Sequence, residues 1–382
     1  MKVALVSTYR THCGIAFNTE YIANELTKLT DVKIFAENIF PPFTENPPID
    51  ESIKLDYERC WERGKSFELL EEKIKEYSPN IVHFNFTPGL YDPSCDLNSH
   101  FQKFISNLRN KRIKTVFTLQ DILNYSYFPG FQQLSTWFKN LQSTFIVMNS
   151  DMSETLKKWY PEADVSIIYH GSPEFQYTSM NDARQNLNLK SSDFILSTFG
   201  FYGPNKGMLN IINAIPNINI PNFKVAFIGG FPPLSTYIHK SYIQDCIKQS
   251  IKLGVTDKII FLNKLVLAKD IGLWCAATNF IISLQEEIQS IYVHVESSSV
   301  HLGLSSSKPI IMENNPRFST FTDGKDCIKI SEDKIAETLN NLYKDKLLQN
   351  VISAGAHNYS NQTTFKIIAQ KYMELYEKCL KN

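Results

Sequence analysis

Short apolar runs of three to five residues, rich in Val, Ile and Phe, recur along this chain. They alternate with segments whose apolar residues return every third or fourth position. The first pattern is that of buried strands and the second that of amphipathic helices, and their alternation predicts βαβ units around parallel sheets. In the first half, strands are predicted at 3–7, 32–35, 81–84, 115–118, 145–148 and 166–169, with helices at 16–29, 67–77, 96–110 and 153–159. In the second half, strands are predicted at 194–198, 224–228, 259–261, 280–284, 309–311 and 327–330. Helices there fall at 207–214, 237–253, 268–276, 299–304, 333–343 and 364–379. Between the halves, a polar stretch rich in turn formers runs from His170-Gly171-Ser172-Pro173 to about Asp193 and reads as a linker. The expectation is an α/β protein with doubly wound Rossmann-like domains at 1–172 and 173–360, and a C-terminal helix, 361–382, packing back on the first domain. In such folds ligands bind at the carboxyl ends of the strands, which places the expected site in a cleft between the two sheets.

Composition narrows the function classes. The chain has 382 residues, of which 43% are hydrophobic and 20% charged, as in soluble globular domains. Lys+Arg and Asp+Glu are equal at 39 each, so global charge gives no electrostatic case for nucleic acid as the main partner. No apolar run reaches membrane-spanning length, and the apolar segment at 2–6 is too short for the core of a signal peptide. Seven scattered cysteines with no CxxC pair argue against a disulfide framework and a structural zinc site. A cytoplasmic protein is expected. No residue pattern indicates the oligomeric state.

The candidate chemistry is concentrated in Phe-Ile-Leu-Ser-Thr-Phe-Gly-Phe-Tyr-Gly-Pro-Asn-Lys-Gly at 194–207, where a strand ends in a glycine-containing turn that opens a helix. Glycines such as Gly200 and Gly203 let backbone amides approach a ligand, a helix start offers N–H groups and partial positive charge, and Lys206 adds a full charge. Together they would hold a diphosphate. Ser297-Ser298-Ser299 precedes another predicted helix; it reads as an N-cap or as a second anion site gripping the same diphosphate. In the first half, the loop at 7–16 with Gly14 reads as a surface connection or as a flexible cover over a phosphate or sugar. His83 and Asn85 end one strand, and Gln120-Asp121 end the next. His170 stands at the linker, as a hinge residue or at the mouth of the cleft. A GxSxG elbow, a Rossmann glycine fingerprint and a DxD motif are all absent.

These segments resemble glycosyltransferase family 4, the group 1 transferases of the GT-B fold, over nearly the whole length. Residues 81–85 (IVHFN) resemble that family's "DIVHxH" strand, 117–121 (FTLQD) its "xTLHD", and 168–171 (IYHG) its "IPHG". Residues 199–207 resemble its phosphate loop "xGxxxxxKG", and 307–311 (SKPII) its "GKPVI". The resemblance implies a nucleotide-diphosphate sugar, UDP- or GDP-linked, as donor substrate, no cofactor, and a retaining transfer without a metal. It implies that Gly200, Gly203, Lys206 and Ser297–Ser299 hold the diphosphate and that backbone near Lys264-Leu265 holds the base. It places Gly14, His83, Asn85 and Asp121 on the acceptor side, and Lys206, Glu296, Gln120 and His170 in the catalytic set. The acceptor is open: glycan, lipid, protein or modified base. Some positions depart from the family pattern. Phe201 stands where an arginine is usual, Gln120 where a histidine is, and the two glutamates of the EX7E motif fall on His294 and Leu302. An inactive sugar-binding homologue, and another GT-B enzyme such as a nucleotide-sugar epimerase or a phosphorylase, are the competing readings.

Overall fold

The computed structural model describes the chain apart from residues 42, 49, 124–132, 233–236, 265, 286–291, 296 and 382, and at 123 and 292–295 it describes the backbone alone. The chain divides into two compact units. The first comprises Met1–Gly171, Ser290–Glu296 and Phe365–Asn382, and the second Ser172–Gln289 and Ser297–Thr364.

In the first unit the strands are β1 (Lys2–Ser7), β2 (Asp31–Glu37), β3 (Tyr57–Trp61), β4 (Ile81–Phe86), β5 (Lys114–Leu119), β6 (Asp121–Leu123), β7 (Thr144–Val147) and β8 (Asp164–Ile167). Seven of them form a parallel sheet in the order β3-β2-β1-β4-β5-β7-β8. Helices cover both faces, which is why β1 and β4 are buried almost throughout and read as continuous apolar runs. One face carries an aromatic core in which Phe84, Phe86, Phe101, Phe117 and Trp137 pack together. On the other face, the C-terminal helix Phe365–Lys381 presents Tyr372 and Tyr376 to strands β4 and β5.

In the second unit the strands are β9 (Phe194–Phe199), β10 (Phe223–Ile228), β11 (Ile259–Phe261) and β12 (Phe280–Ser283), followed in the chain by β13 (Tyr292–Val295), β14 (Ile310–Glu313) and β15 (Ile328–Ile330). Except for β13 they form a parallel sheet in the order β11-β10-β9-β12-β14-β15. Strand β13 instead pairs antiparallel with β6, within the first unit. In each sheet the order reverses once, between β1 and β4 and between β9 and β12. These reversals are the positions where diverging loops open a ligand crevice at the carboxyl edge.

Several elements depart from the sequence expectation: the helices Pro88–Tyr91 and Leu134–Leu141, the paired strands β6 and β13, and three others. Strand β3 (Tyr-Glu-Arg-Cys-Trp) lies at the sheet edge, where Glu58 pairs with Lys33 and Lys73; charged edge strands lack an apolar signature. The expected linker holds a helix, Met180–Asn186, capped by the Ser179 side chain. Its Arg184 is buried because the guanidinium donates to Ala277 O, Ser191 O and Asn279 Oδ1, so a polar sequence here belongs to the second unit. The helix Lys346–Gln362 also extends where no element was expected.

Candidate functional site

The loop that leaves β9 at the order reversal of the second sheet is shaped by close backbone contacts. Gly200 has φ +124° and Gly229, just past β10, has φ +155°. A Cβ on Gly229 would stand 1.9 Å from Gly200 O, and one on Gly230 would stand 3.2 Å from the Lys264 backbone. The ends of β9, β10 and β11 are therefore stacked main chain on main chain. Tyr202 ties them together: its amide donates to Gly230 O at 2.8 Å, its hydroxyl donates to Phe227 O at 2.9 Å and accepts from the Asn263 amide at 2.9 Å. Lys264 N donates to Gly229 O at 2.9 Å, while its ammonium pairs with Asp270 at 3.2 Å.

Past this anchor the chain makes one turn of 3-10 helix, Pro204–Lys206, and enters the helix Met208–Ala214 through Gly207. Gly207 has φ +57°, and a Cβ there would strike the Leu284 side chain at 2.6 Å, so both backbone and space demand glycine. Lys206 is thereby turned back over Gly200: a Cβ at Gly200 would lie 3.7 Å from both Lys206 Cε and Nζ, and 3.3 Å from Ser299 Cβ. Gly200, Lys206 and Ser299 thus meet at one point.

The opposite wall comes from the ends of β12 and β14. The Gln285 amide donates to Glu313 Oε2 at 2.7 Å, and the Asn315 side chain donates to Gln285 O at 2.9 Å. The Ser297 hydroxyl lies 3.4 Å from Gln285 Nε2 and 3.2 Å from Ser299 Oγ. Ser297 precedes the helix Ser298–Leu304 but makes no side-chain cap to it, so its hydroxyl serves this network rather than the helix start.

The electrostatics single out Lys206. Desolvation, and next the positive charge of Arg317, lower its pKa to about 8. Lys206 has no carboxylate partner among the described residues. A buried lysine without a carboxylate of its own, under the influence of a second positive charge, is an arrangement that an anion would stabilise. Arg317 was not singled out from the sequence; its signal is the Asn-Asn-Pro-Arg turn directly after β14, where the Asn315 side chain accepts from the Arg317 amide. The Gly229-Gly230 pair after β10 was likewise passed over, although a double glycine at a strand end is a readable sign of close backbone approach.

In the first unit, Gly14 is the exposed first residue of the helix Gly14–Thr27. Asn85 donates to Thr19 Oγ1 at 2.9 Å, and its buried Oδ1 has no partner among the described residues. The Gln120 amide donates to Phe86 O at 2.8 Å, and its side-chain Nε2 is also buried without a partner. Asp121 accepts from the Thr87 hydroxyl at 3.0 and 2.9 Å. These three share the carboxyl edge of β4 and β5.

His83 does not join them. It is fully buried against the C-terminal helix, bonded to Tyr376 Oη and, at 2.7 Å, to Thr118 Oγ1, and desolvation lowers its pKa to about 3. It is a structural residue, because its side chain points into the sheet face rather than past its edge. His170 is also enclosed, at 4% exposure. Its Nδ1 donates to Gly171 O at 2.7 Å, which leaves Nε2 to accept from Asn18 Nδ2 at 3.3 Å. That fixes the tautomer and ties His170 into the first unit. Glu296 and Leu265 lie outside the described residues.

No family model and no curated protein matches the chain. Solved structures do. HepE of Anabaena, solved in complex with UDP, is 16% identical with a TM-score of 0.73, covering 99% of this chain and 100% of that one. A glycosyltransferase of Rickettsia africae is 16% identical with a TM-score of 0.76, covering 100% and 99%. Sucrose-phosphate synthase of Thermosynechococcus elongatus is 13% identical with a TM-score of 0.71, covering 99% and 98%. At such identities the likeness shows the fold, and the fold is GT-B.

Proposed function

We propose that this protein is a glycosyltransferase whose second unit holds a nucleotide-diphosphate sugar, UDP- or GDP-linked, and passes the sugar to an acceptor held by the first. The observation that carries the reading is the meeting of Gly200, Lys206 and Ser299 at the order reversal of the second sheet, with a lysine that has no carboxylate partner among the described residues. HepE, of the same fold, has been solved with UDP-glucose. In this reading the glycine-lined backbone lets the diphosphate approach, and Lys206 with Arg317 offsets the charge that grows on the leaving phosphate as the glycosidic bond breaks. Arg317 takes the part that an arginine after the first loop glycine would have played, at the position of Phe201. Main chain near Lys264 contacts the base.

Asn85, Gln120 and Asp121 stand on the acceptor side, Glu296 is assigned to the catalytic set, and His83 and His170 are left out of it. Retention of configuration, metal independence, membership of family 4 and a cytoplasmic site are part of the same proposal. Among the described residues no helix is long and apolar enough to cross a membrane. The test is calorimetric titration with UDP, GDP and UDP-glucose, followed by an assay for release of nucleotide from the donor. Saturable binding that Lys206→Ala weakens at least tenfold supports the reading. Absence of binding by every nucleotide overturns it, and binding without any donor turnover favours the inactive homologue.

A further inference from the structure

The loop that follows β1 leaves a group of hydrogen-bond donors with nothing to donate to among the described residues. Thr8 and Thr11 are 0% and 6% exposed, and neither hydroxyl has a partner; Arg10 Nε and Asn46 Nδ2 are buried without one as well. The four lie along one stretch of backbone. Thr8, Arg10 and Thr11 are nearly contiguous, and the Asn46 amide donates to Arg10 O at 2.9 Å, which seats Asn46 on the same loop. A buried polar group without a partner is costly and uncommon, and several in one loop mark a place prepared for something else. Guanidinium and carboxamide N–H groups can only donate, so the missing group must be rich in acceptors.

Charge sharpens this. The Arg10 guanidinium lies 5.7 Å from the Tyr9 ring centre and 5.1 Å from that of Tyr57, and reaches the Tyr57 hydroxyl at 3.5 Å. It makes no ion pair among the described residues. The neighbouring carboxylates make their direct bonds to other groups: Glu45 accepts from Tyr57 at 2.8 Å and Arg59 at 3.1 Å, with Arg10 acting on it only as a more distant charge, and Glu37 is gripped by Arg63 at 2.5 and 3.0 Å. Glu20 accepts from the Asp50 amide at 3.0 Å. Arg10 is only half-buried, so a ligand can reach it. A neutral sugar hydroxyl would satisfy the threonines and leave the arginine without a direct ion pair, whereas the planar fork of arginine matches a carboxylate or a phosphate.

We infer that Arg10, Thr8, Thr11 and Asn46 form a seat for an anionic group, a carboxylate or a phosphate, carried by the acceptor. The inference rests on the reading of the first unit as the acceptor side. It is tested by titrating the full chain with glucuronate, glucose 6-phosphate and glucose. The titrations are run in the Lys206→Ala background and again with UDP present, so that the loop after β9 does not contribute. One or both anionic sugars should bind at least tenfold more tightly than glucose, and the tighter one names the group.

Arg10→Gly should abolish that preference, and because Arg10 has φ 49° glycine keeps the backbone path. Arg10→Gln serves as a second variant of similar size, and Arg10→Lys should keep a reduced preference. Equal binding of all three sugars to the parent overturns the inference, as does a preference that survives in Arg10→Gly and Arg10→Gln. The donor reading is judged separately by UDP: anion preference without UDP binding leaves the seat standing and removes the donor site, and the reverse result does the opposite.

Discussion

Burial, and after it the positive charge of Arg317, hold the pKa of Lys206 at about 8, against an ordinary lysine value of 10.5. A bound diphosphate would reverse that effect and raise the lysine pKa again. Affinity for UDP-glucose should therefore be level below about pH 7.5 and fall as pH rises above 8, by up to about tenfold per unit, with proton uptake on binding. Arg317→Gln removes one source of the depression, so the break should move to higher pH while overall affinity drops. Calorimetry in two buffers of different ionisation heat measures both quantities. A flat profile from pH 7 to 9 in the parent protein would remove Lys206 from the diphosphate site.

The same depressed pKa has a cost in stability. Between the folded value and the ordinary one, the unfolded chain binds more protons than the folded chain, so this group makes stability rise with pH and is unfavourable at neutral pH. The penalty is on the order of 1–3 kcal/mol. Lys206→Met should therefore raise the melting temperature at pH 7 by a few degrees and abolish the further rise that UDP gives the parent. Thermal melts with and without UDP check this. A Lys206→Met protein that melts lower and still responds to UDP contradicts it.

Much of this architecture was legible in the apolar runs. Strands such as β1, β4, β9 and β10 are buried on both faces, and their sequences show it directly. Strand β3 was not legible because an edge strand carries Glu58 and Arg59, and the helix Met180–Asn186 was hidden because Arg184 is buried by hydrogen bonds rather than by apolarity. The candidate site divides in the same way. That Gly200, Lys206 and Ser299 belong to one candidate site could be read from turn chemistry and order along the chain. Arg317 could not, because its part depends on the three-dimensional neighbourhood of Lys206 and on no local pattern. His83 was misplaced for a related reason: alternation along β4 does not say whether a polar side chain meets solvent or a tyrosine from a helix 293 residues away.

The crossing of Gly200 and Gly229 gives a prediction about stability. Alanine at 229 would put a methyl group 1.9 Å from Gly200 O at φ +155°, and no side-chain rotation relieves a clash with main chain. Gly229→Ala should cost more than about 2 kcal/mol and also displace the loop that carries Lys206. Gly254→Ala is the control, since Gly254 has φ +66° but open space around it, and should cost only about 1 kcal/mol. Denaturant unfolding compares the two. Equal losses in both variants would show that the crossing contributes no more than backbone strain.

His83 predicts an acid-sensitive fold rather than an acid-base catalyst. Burial between Tyr376 and Thr118 lowers its pKa to about 3, below the ordinary 6.5, so the folded protein keeps it neutral while the unfolded chain takes up a proton as pH falls through 6.5. Its contribution is complete above pH 6.5 and is lost progressively on acidification towards pH 3. His301, bonded to Ser172 Oγ at 3.0 Å and equally lowered to about 3, adds the same dependence to the second unit. His83→Gln removes one titrating group while keeping a hydrogen-bonding side chain. It should lower stability at pH 7.5 by a few kcal/mol, flatten the loss between pH 6.5 and 4.5, and leave UDP affinity within about twofold of the parent. Urea midpoints across that pH range, with UDP titration of the folded variant, provide the measurement. An unchanged pH slope refutes the buried neutral assignment, and a tenfold loss of UDP affinity would return His83 to the functional site.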